Sequence, residues 1–156
     1  MKILIVYDSI FGNTEKIAVA VAEPLMARND VRLLRAADAG PRDLAGVGLL
    51  VVGSPTRAFR PTKAVTSFLR RIPRAGLKGI RTAAFDTRIS PEKIRSGLLD
   101  FMVKIFGYAE DSMTRLLKRK AASGTVPAEG FFVLGSEGPL KDGELSRAST
   151  WANQLL

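Results

Sequence analysis

The sequence is 156 residues long and contains no cysteine and no histidine. The absence of cysteine excludes disulfide bonds, thiolate metal sites and cysteine nucleophiles. The absence of histidine excludes a Ser-His-Asp triad and a histidine general base, and no remaining side chain has an unperturbed pKa near neutral pH. We therefore expect no catalytic side chain and no metal site. If the protein does chemistry at pH 7, a bound cofactor should supply the reactive atoms.

Long hydrophobic runs are also absent. No apolar run approaches the roughly 18 residues of a membrane span, and the first run, residues 1–7, stops at Asp8 and is too short for a signal peptide. We therefore expect a cytoplasmic protein, with peripheral membrane contact left open. The length and the 46% of hydrophobic residues predict a single domain over residues 1–156.

Positive charge is concentrated in one part of the chain. The net charge is +9, and residues 57–120 contain 16 Lys or Arg against 5 Asp or Glu, so the rest of the chain is slightly acidic. This distribution predicts one strongly basic surface, which could be a solvated face or could bind an acidic protein, anionic lipid or nucleic acid. We expect no nucleic-acid partner, because the basic residues are scattered among apolar ones rather than clustered.

Strand and helix patterns alternate along the chain. Short aliphatic runs predict five strands, at residues 3–7, 31–34, 48–53, 81–85 and 130–135. Helical spacing of apolar residues predicts helices over 14–26, 61–72, 91–106 and 145–155, with a further helix between Gly107 and Ala122. The alternation predicts an α/β fold with a doubly wound parallel sheet between two helical layers.

Specific residues near the ends of three predicted helices indicate how those helices begin or end. Pro24 lacks the N–H that would reach the carbonyl of Ala20, so we expect a kink or an unwound last turn there. Pro61 should occupy the first turn of its helix, where its missing N–H costs nothing. Asp142 should cap the last helix, with Glu144 complementing the helix dipole.

In a doubly wound sheet, ligands bind beyond the carboxyl ends of the strands, at the point where the strand order reverses. The first loop selected by this rule, residues 8–14, can donate to a phosphate from the hydroxyls of Ser9 and Thr14, the Asn13 amide and the helix N–H groups. Gly12 lets the backbone approach closely. The alternative is a plain turn in which Asn13 or Thr14 caps the helix. The candidate site residues of this loop are Ser9, Ile10, Phe11, Gly12, Asn13 and Thr14.

The second loop, residues 53–61, places Phe59 between Arg57 and Arg60, which suits a flat ring with polar edges. Alternatively, Phe59 packs onto the following helix. The candidate residues of this loop are Ser54, Pro55, Thr56, Arg57, Ala58 and Phe59.

The third loop, residues 85–89, contributes Asp86, Thr87 and Arg88. In this loop, Asp86 could accept a hydrogen bond from an imide N–H of a ligand. Alternatively, it caps the segment that follows.

Taken together, these loops resemble the flavodoxin family over essentially the whole chain. The matching segments are Tyr7-Asp8-Ser9, Asn13-Thr14-Glu15-Lys16-Ile17-Ala18, Gly53-Ser54-Pro55-Thr56, Gly130-Phe131-Phe132-Val133, Glu137-Gly138-Pro139-Leu140 and Gly143-Glu144-Leu145. The resemblance implies a flavodoxin-like fold whose five parallel strands have the order 2-1-3-4-5. It also implies noncovalently bound FMN, with Ser9, Gly12, Asn13 and Thr14 around the phosphate and the other two loops around the isoalloxazine ring.

Two features depart from the family pattern. Many members carry Tyr in the third loop and often Trp in the second, whereas the only aromatic candidates here are Phe11 and Phe59. Small members are commonly acidic, whereas this chain is basic. The resemblance therefore implies a redox partner that is acidic, or an acceptor that is not a protein, such as a quinone.

The leading functional prediction is an FMN-binding electron-transfer protein, a carrier rather than a stand-alone enzyme. One alternative is an FMN-dependent quinone-type oxidoreductase that acts at a membrane or with an acidic partner. A flavin-free module that binds an acidic partner through its basic face is another. The predicted helix over 91–106 could be plain core, or it could contact the electron acceptor, a membrane or a second copy of the chain.

Overall fold

The computed structural model shows a parallel β-sheet with helices on both faces, and it describes residues 1–93, 97, 102, 104 and 107–156. The strands and helices, in chain order, are β1 (Lys2–Tyr7), α1 (Asn13–Met26), β2 (Asp30–Arg35), β3 (Leu49–Pro55), α2 (Lys63–Arg71), β4 (Arg81–Ile89), α3 (Ala109–Arg119), β5 (Gly124–Thr125), β6 (Glu129–Val133) and α4 (Glu144–Ala152). Short 3-10 turns cover Pro41–Leu44, Pro91–Lys93 and Asn153–Leu155.

The strand order is β2-β1-β3-β4-β5, and every pair of strands is parallel. This confirms the predicted doubly wound sheet and its order 2-1-3-4-5. The predicted fifth strand, at residues 130–135, is observed as β6, and β5 is an additional short strand that was not predicted; the two lie along the two halves of β4. Pro127 lies between them and has no N–H for the ladder, which accounts for the break.

β4 is longer than predicted. The expected strand ended at Phe85, whereas the observed strand continues to Ile89. Its last residues pair with Ser54 and Pro55 of β3 on one side and with β6 on the other. The segment predicted as a third loop is therefore part of the sheet, because it has a strand neighbour on both edges.

Two hydrophobic layers hold the helices on the sheet. Alternate residues of β1 face opposite layers, as the two-residue period of a strand requires: Ile3, Ile5 and Tyr7 face one, while Leu4 and Val6 face the other. α1 and α4 cover the first layer, and α2 and α3 cover the second. Within the first layer, three rings pack edge to face with centroids 6.0–6.1 Å apart, namely Phe85, Phe131 and Trp151.

Pro24 lies inside α1, and the last turn stays helical to Met26, as the predicted helix end requires, rather than unwinding. The carbonyl of Ala20, which Pro24 leaves without its helical donor, accepts a hydrogen bond of 3.1 Å from the hydroxyl of Ser149 on α4. A neighbouring helix therefore supplies the missing partner of this carbonyl.

The beginnings of α2 and α4 also differ from the predictions. Thr62, not Pro61, stands at the start of α2, and its Oγ1 accepts from the Val65 N–H. Gly143 precedes α4 with a φ of 85°, a conformation that favours glycine, and no side chain, including that of Asp142, caps this helix. Glu144 does lie in the first turn, as expected for the dipole.

α3 matches the second of the two helices predicted between residues 91 and 122. The first, over 91–106, lies mostly outside the described residues, and its beginning is the 3-10 turn at Pro91–Lys93. Among the helices of the described ranges, none has the length and apolar character that crossing a bilayer requires.

Candidate functional site

A cleft of about 280 Å³ opens at the carboxyl ends of β1, β3 and β4. Eleven of the fifteen predicted site residues line it: Ser9, Ile10, Phe11, Asn13, Thr14, Pro55, Thr56, Arg57, Ala58, Thr87 and Arg88. The other four, Gly12, Ser54, Phe59 and Asp86, do not line it. Three lining residues were missed by the sequence analysis, namely Ile89, Val133 and Ser136. Extending the carboxyl-end rule to the last strand would have indicated Val133 and Ser136.

The first loop, residues 8–14, forms a turn that leads directly into the first turn of α1. Gly12 precedes α1 with a φ of 87°, and its N–H donates to Ser9 Oγ at 3.1 Å. The residue preceding the helix is thus Gly12, so neither Asn13 nor Thr14 caps α1. In residues 1–93 and 107–156, no protein acceptor takes the amide hydrogens of Asn13, Thr14 or Glu15. A helix start with free amides and a positive dipole end favours an anion.

Two hydrogen bonds fix this loop to other parts of the cleft. The hydroxyls of Thr14 and Thr87 are 2.7 Å apart, which joins the start of α1 to the end of β4. The Asn13 side-chain amide donates to the Glu137 carbonyl at 2.9 Å. A Cβ at Gly138 would lie 2.7 Å from Asn13 Nδ2, so the close approach of these two segments requires glycine there.

The second loop makes a tight reverse turn. Arg57 and Arg60 exchange two backbone hydrogen bonds of 2.9 and 3.0 Å. Between them, Ala58 and Phe59 have φ values of 45° and 64°, as a two-residue turn of type I′ requires. Because neither residue is glycine, the turn carries backbone strain.

Aromatic and apolar side chains mark the rim of the cleft. Phe11 and Ile10 are 45% and 50% exposed, and the guanidinium of Arg57 lies 5.9 Å from the centroid of the Phe11 ring. Phe59, the other aromatic candidate, is half-buried beside the cleft rather than in its wall.

Asp86 is buried beneath the cleft instead of facing it. Its carboxylate accepts hydrogen bonds from Thr56 Oγ1 at 2.8 Å, Arg88 Nε at 2.6 Å and the Glu110 N–H at 3.2 Å. With its side chain fully buried, Asp86 has no surface for a ligand imide. Neither predicted role of Asp86 is observed: the segment that follows it continues as β4, and the N–H that its carboxylate accepts belongs to Glu110, in the first turn of α3.

Arg88 links two carboxylates at the edge of the cleft. Its Nη2 makes a close ion pair with Glu110 Oε1, its Nε binds Asp86, and its guanidinium stacks 3.6 Å from the centroid of the Tyr108 ring. Its side chain is only 11% exposed. The sequence analysis missed both Tyr108 and Glu110, because no local pattern connects them with β4.

Burial raises the pKa of the Glu110 carboxyl to about 8, and the neighbouring Asp86 carboxylate adds to this effect more than Arg88 offsets it. Burial by itself would lower the pKa of Arg88, but Asp86 and Glu110 raise it overall, so the guanidinium stays charged. The positive charge of Arg88 is therefore balanced within the protein.

A scan against models of known protein families found no match, and neither did a search of curated protein sequences. Solved structures do match, at low identity. A flavodoxin from the domain Archaea superposes with a TM-score of 0.74 at 19% identity, covering 99% of this chain and 96% of that one. Flavodoxin 1 from Bacillus cereus gives 0.76 at 16% identity, covering 99% and 97%.

A larger protein contains a similar unit. Rubredoxin oxygen:oxidoreductase from Desulfovibrio gigas matches with a TM-score of 0.75 at 18% identity, and the match covers 99% of this chain but 35% of that one. Together with the parallel strand order, these matches show that the chain has the flavodoxin-like fold.

Proposed function

We propose that this protein binds FMN noncovalently in the cleft and acts in electron transfer. The observation that carries the proposal is the start of α1, where three unpaired amides adjoin the side chains of Ser9, Asn13 and Thr14 in the wall of the cleft. FMN, when bound, supplies one-electron and two-electron redox chemistry.

The first loop suits the phosphate of FMN. The amides of Asn13, Thr14 and Glu15 can donate to its oxygens, and the Ser9 and Thr14 hydroxyls can add further hydrogen bonds. The positive end of the α1 dipole favours the negative charge, so a lysine is not needed. The partners already bound to this loop, Thr87 and the Glu137 carbonyl, hold it in place before a ligand arrives.

The rest of the wall suits the ring. Pro55, Ala58, Ile89 and Val133 contribute apolar surface, while Thr56 and Thr87 contribute polar atoms. A mostly apolar wall with a few fixed polar groups is typical of cofactor clefts. The strained turn at Ala58 and Phe59 lies beside this wall, so its backbone could contact the ring edge.

Replacement of the Thr14 hydroxyl tests the phosphate assignment. We expect Thr14→Ala to weaken FMN binding by about tenfold or more and to leave riboflavin binding nearly unchanged, because riboflavin lacks the phosphate. Titration of both flavins by fluorescence quenching measures this. Thr150→Ala serves as the matched control, since the Thr150 hydroxyl bonds only the Ser146 carbonyl within α4.

Equal losses for FMN and riboflavin in Thr14→Ala would contradict the phosphate assignment. Failure of the wild-type protein to retain FMN at micromolar concentration would contradict the proposed function as a whole. That result would favour the flavin-free module, whose role would rest on the basic surface alone.

The exposed apolar rim favours a second candidate function, the reduction of a lipophilic quinone. Ile10 and Phe11 present about half of their surface to solvent at the mouth of the cleft. If a quinone is the acceptor, reoxidation of the reduced holoprotein by a naphthoquinone should saturate with quinone concentration. Ile10→Ser combined with Phe11→Ser should then raise the half-saturating concentration, whereas a carrier that serves only a protein partner should show no saturation.

A further inference from the structure

We propose that the groove between α2 and α3 is the docking surface for an acidic redox partner protein. This inference rests on the proposed electron-transfer function. The groove is a separate concavity of about 1210 Å³, larger than ordinary small-molecule sites, and it lies next to the candidate cofactor cleft. Ile10 and Arg57 line both, so the groove adjoins the cleft.

The charged side chains in the described lining of the groove are all positive. Seven exposed cations line it, and they come from three segments that are distant in the sequence: Arg57 and Arg60, then Lys63, Arg70 and Arg71, then Arg115 and Arg119. No acidic residue is among its lining residues in the described part of the chain. Such a surface attracts an anionic partner and orients it during encounter.

Within the described residues, these cations have no carboxylate partner, although other arginines of the protein do. Over residues 1–93 and 107–156, none of the seven forms an ion pair with a carboxylate. Elsewhere, Arg32 binds Asp43 at 3.2 Å, and Arg147 binds Glu129 at 2.7 Å. Arg71 and Arg115 donate hydrogen bonds to neutral protein oxygens, which leaves their charge uncompensated by a carboxylate, so external carboxylates could neutralise the groove.

The shape and composition of the groove favour a protein over other polyanions. Among the residues that the structure describes, its lining includes no aromatic side chain on which nucleic-acid bases could stack. It is concave, and the apolar residues of its described lining are Ile10, Pro61 and Leu116, which do not form the projecting apolar face by which a helix enters a bilayer. An acidic protein surface fits a concave basic groove through many separate carboxylates.

The first experiment measures binding of a labelled polyanion to the FMN-loaded protein. Fluorescein-labelled poly-L-glutamate is titrated with protein at low ionic strength and followed by fluorescence anisotropy. We expect binding that weakens steeply with salt. We expect Arg70→Glu combined with Arg119→Glu to weaken it by about tenfold or more, because two attractive sites become repulsive.

The matched control is Arg28→Glu combined with Lys78→Glu. Both residues are exposed and lie outside the groove, in the segments that precede β2 and β4, at the opposite end of the sheet from the cleft. The control makes the same change in net charge, and we expect it to weaken poly-L-glutamate binding by less than about twofold. Equal losses in the two double variants would overturn the proposal, since net charge alone would then explain the binding.

Duplex DNA and phosphatidylglycerol vesicles are the competing probes. Tighter binding of either probe than of poly-L-glutamate, at the same salt concentration, would overturn the choice of an acidic protein. FMN retention is measured separately by fluorescence. A protein that loses FMN but still binds poly-L-glutamate through the groove would refute the proposed function and leave the docking surface standing.

A second experiment tests whether the groove influences electron exit from the cleft. Reduced holoprotein is mixed with ferricyanide, an anion, or with hexaammineruthenium(III), a cation; each acceptor takes one electron from the reduced flavin. Arg70→Glu combined with Arg119→Glu should slow the ferricyanide reaction several-fold and speed the ruthenium reaction, whereas the control pair should change neither. Unchanged rates with both acceptors would overturn the role of the groove in electron transfer.

Discussion

The cleft and the groove lie side by side, but their arginines differ in burial and in pairing. At the edge of the cleft, Arg88 is nearly buried between Asp86 and Glu110 and stacks on Tyr108. In the groove, exposed residues such as Arg70 and Arg119 have no carboxylate partner among the described residues. The same side chain is therefore structural in one place and available to a partner in the other.

The difference follows from desolvation. A buried carboxylate such as Asp86 needs a fixed cation and hydrogen-bond donors, because its charge is costly without them. An exposed cation is stabilised by water and loses little if it stays unpaired. The number of charged residues alone therefore says little about function. The burial and pairing of each arginine distinguish a structural arginine from one that is exposed to a partner.

Removal of the paired arginine should produce the largest effect. We expect Arg88→Ala to lower the free energy of unfolding by about 3–5 kcal/mol, because it leaves Asp86 buried without its cation. Urea unfolding of the flavin-free protein measures this. Arg119→Ala is the matched control from the groove and should change stability by less than about 0.5 kcal/mol. Similar losses in the two variants would remove the distinction between the two regions.

The pH dependence of stability should report the same cluster. Because the pKa of Glu110 is raised from 4.5 to about 8 in the folded protein, the folded state holds this proton more tightly than the unfolded state does. The associated stability is complete below about pH 4.5 and is lost as the pH rises through about 8. The free energy of unfolding should therefore fall across this window.

Glu110→Gln should make this fall much shallower, because glutamine cannot ionise. Glu23→Gln is a suitable control, since Glu23 is exposed and makes no ion pair within the described ranges. Urea unfolding at several pH values compares the three proteins. A wild-type profile that stays flat over this window would show that Glu110 is not held protonated by its surroundings.

The smallest effect is expected in the groove. At low salt, Arg119→Gln should raise the free energy of unfolding by up to about 0.5 kcal/mol, because it relieves repulsion among the groove cations. High salt should remove the gain by screening that repulsion. Arg28→Gln, outside the groove, should show no such salt-dependent gain. A loss of stability in Arg119→Gln at low salt would indicate that this arginine has a structural partner after all.

Local patterns were sufficient for much of the fold. The aliphatic runs located β1, β2 and β3 within two residues at each end, and helical spacing located α1, α2 and α3. The errors fell where distant segments interact. The last turn of α1 was one of the places where Pro24 was predicted to unwind or kink the helix, but the turn stays helical, and Ser149 of α4 supplies a hydrogen bond that the local sequence does not show.

The rule that ligands bind beyond the carboxyl ends of the strands identified most of the residues that line the cleft. It depends only on strand order and chain direction. The same rule could not show whether a residue faces the cleft or lies beneath it. Asp86 and Thr87 are adjacent in β4, and successive side chains of a strand point to opposite faces, so one is buried under the cleft while the other lines it.

The sequence by itself determined the alternation of strands and helices, the phosphate-suited composition of residues 9–14 and the excess of positive charge between residues 57 and 120. These properties are local or compositional, so they can be recognised without knowing which segments meet. Only the tertiary structure decided that Asp86 and Glu110 would enclose Arg88 and that α2 and α3 would place their cations on one groove beside the cleft. Both outcomes depend on packing between segments far apart in the chain, which local periodicity does not specify.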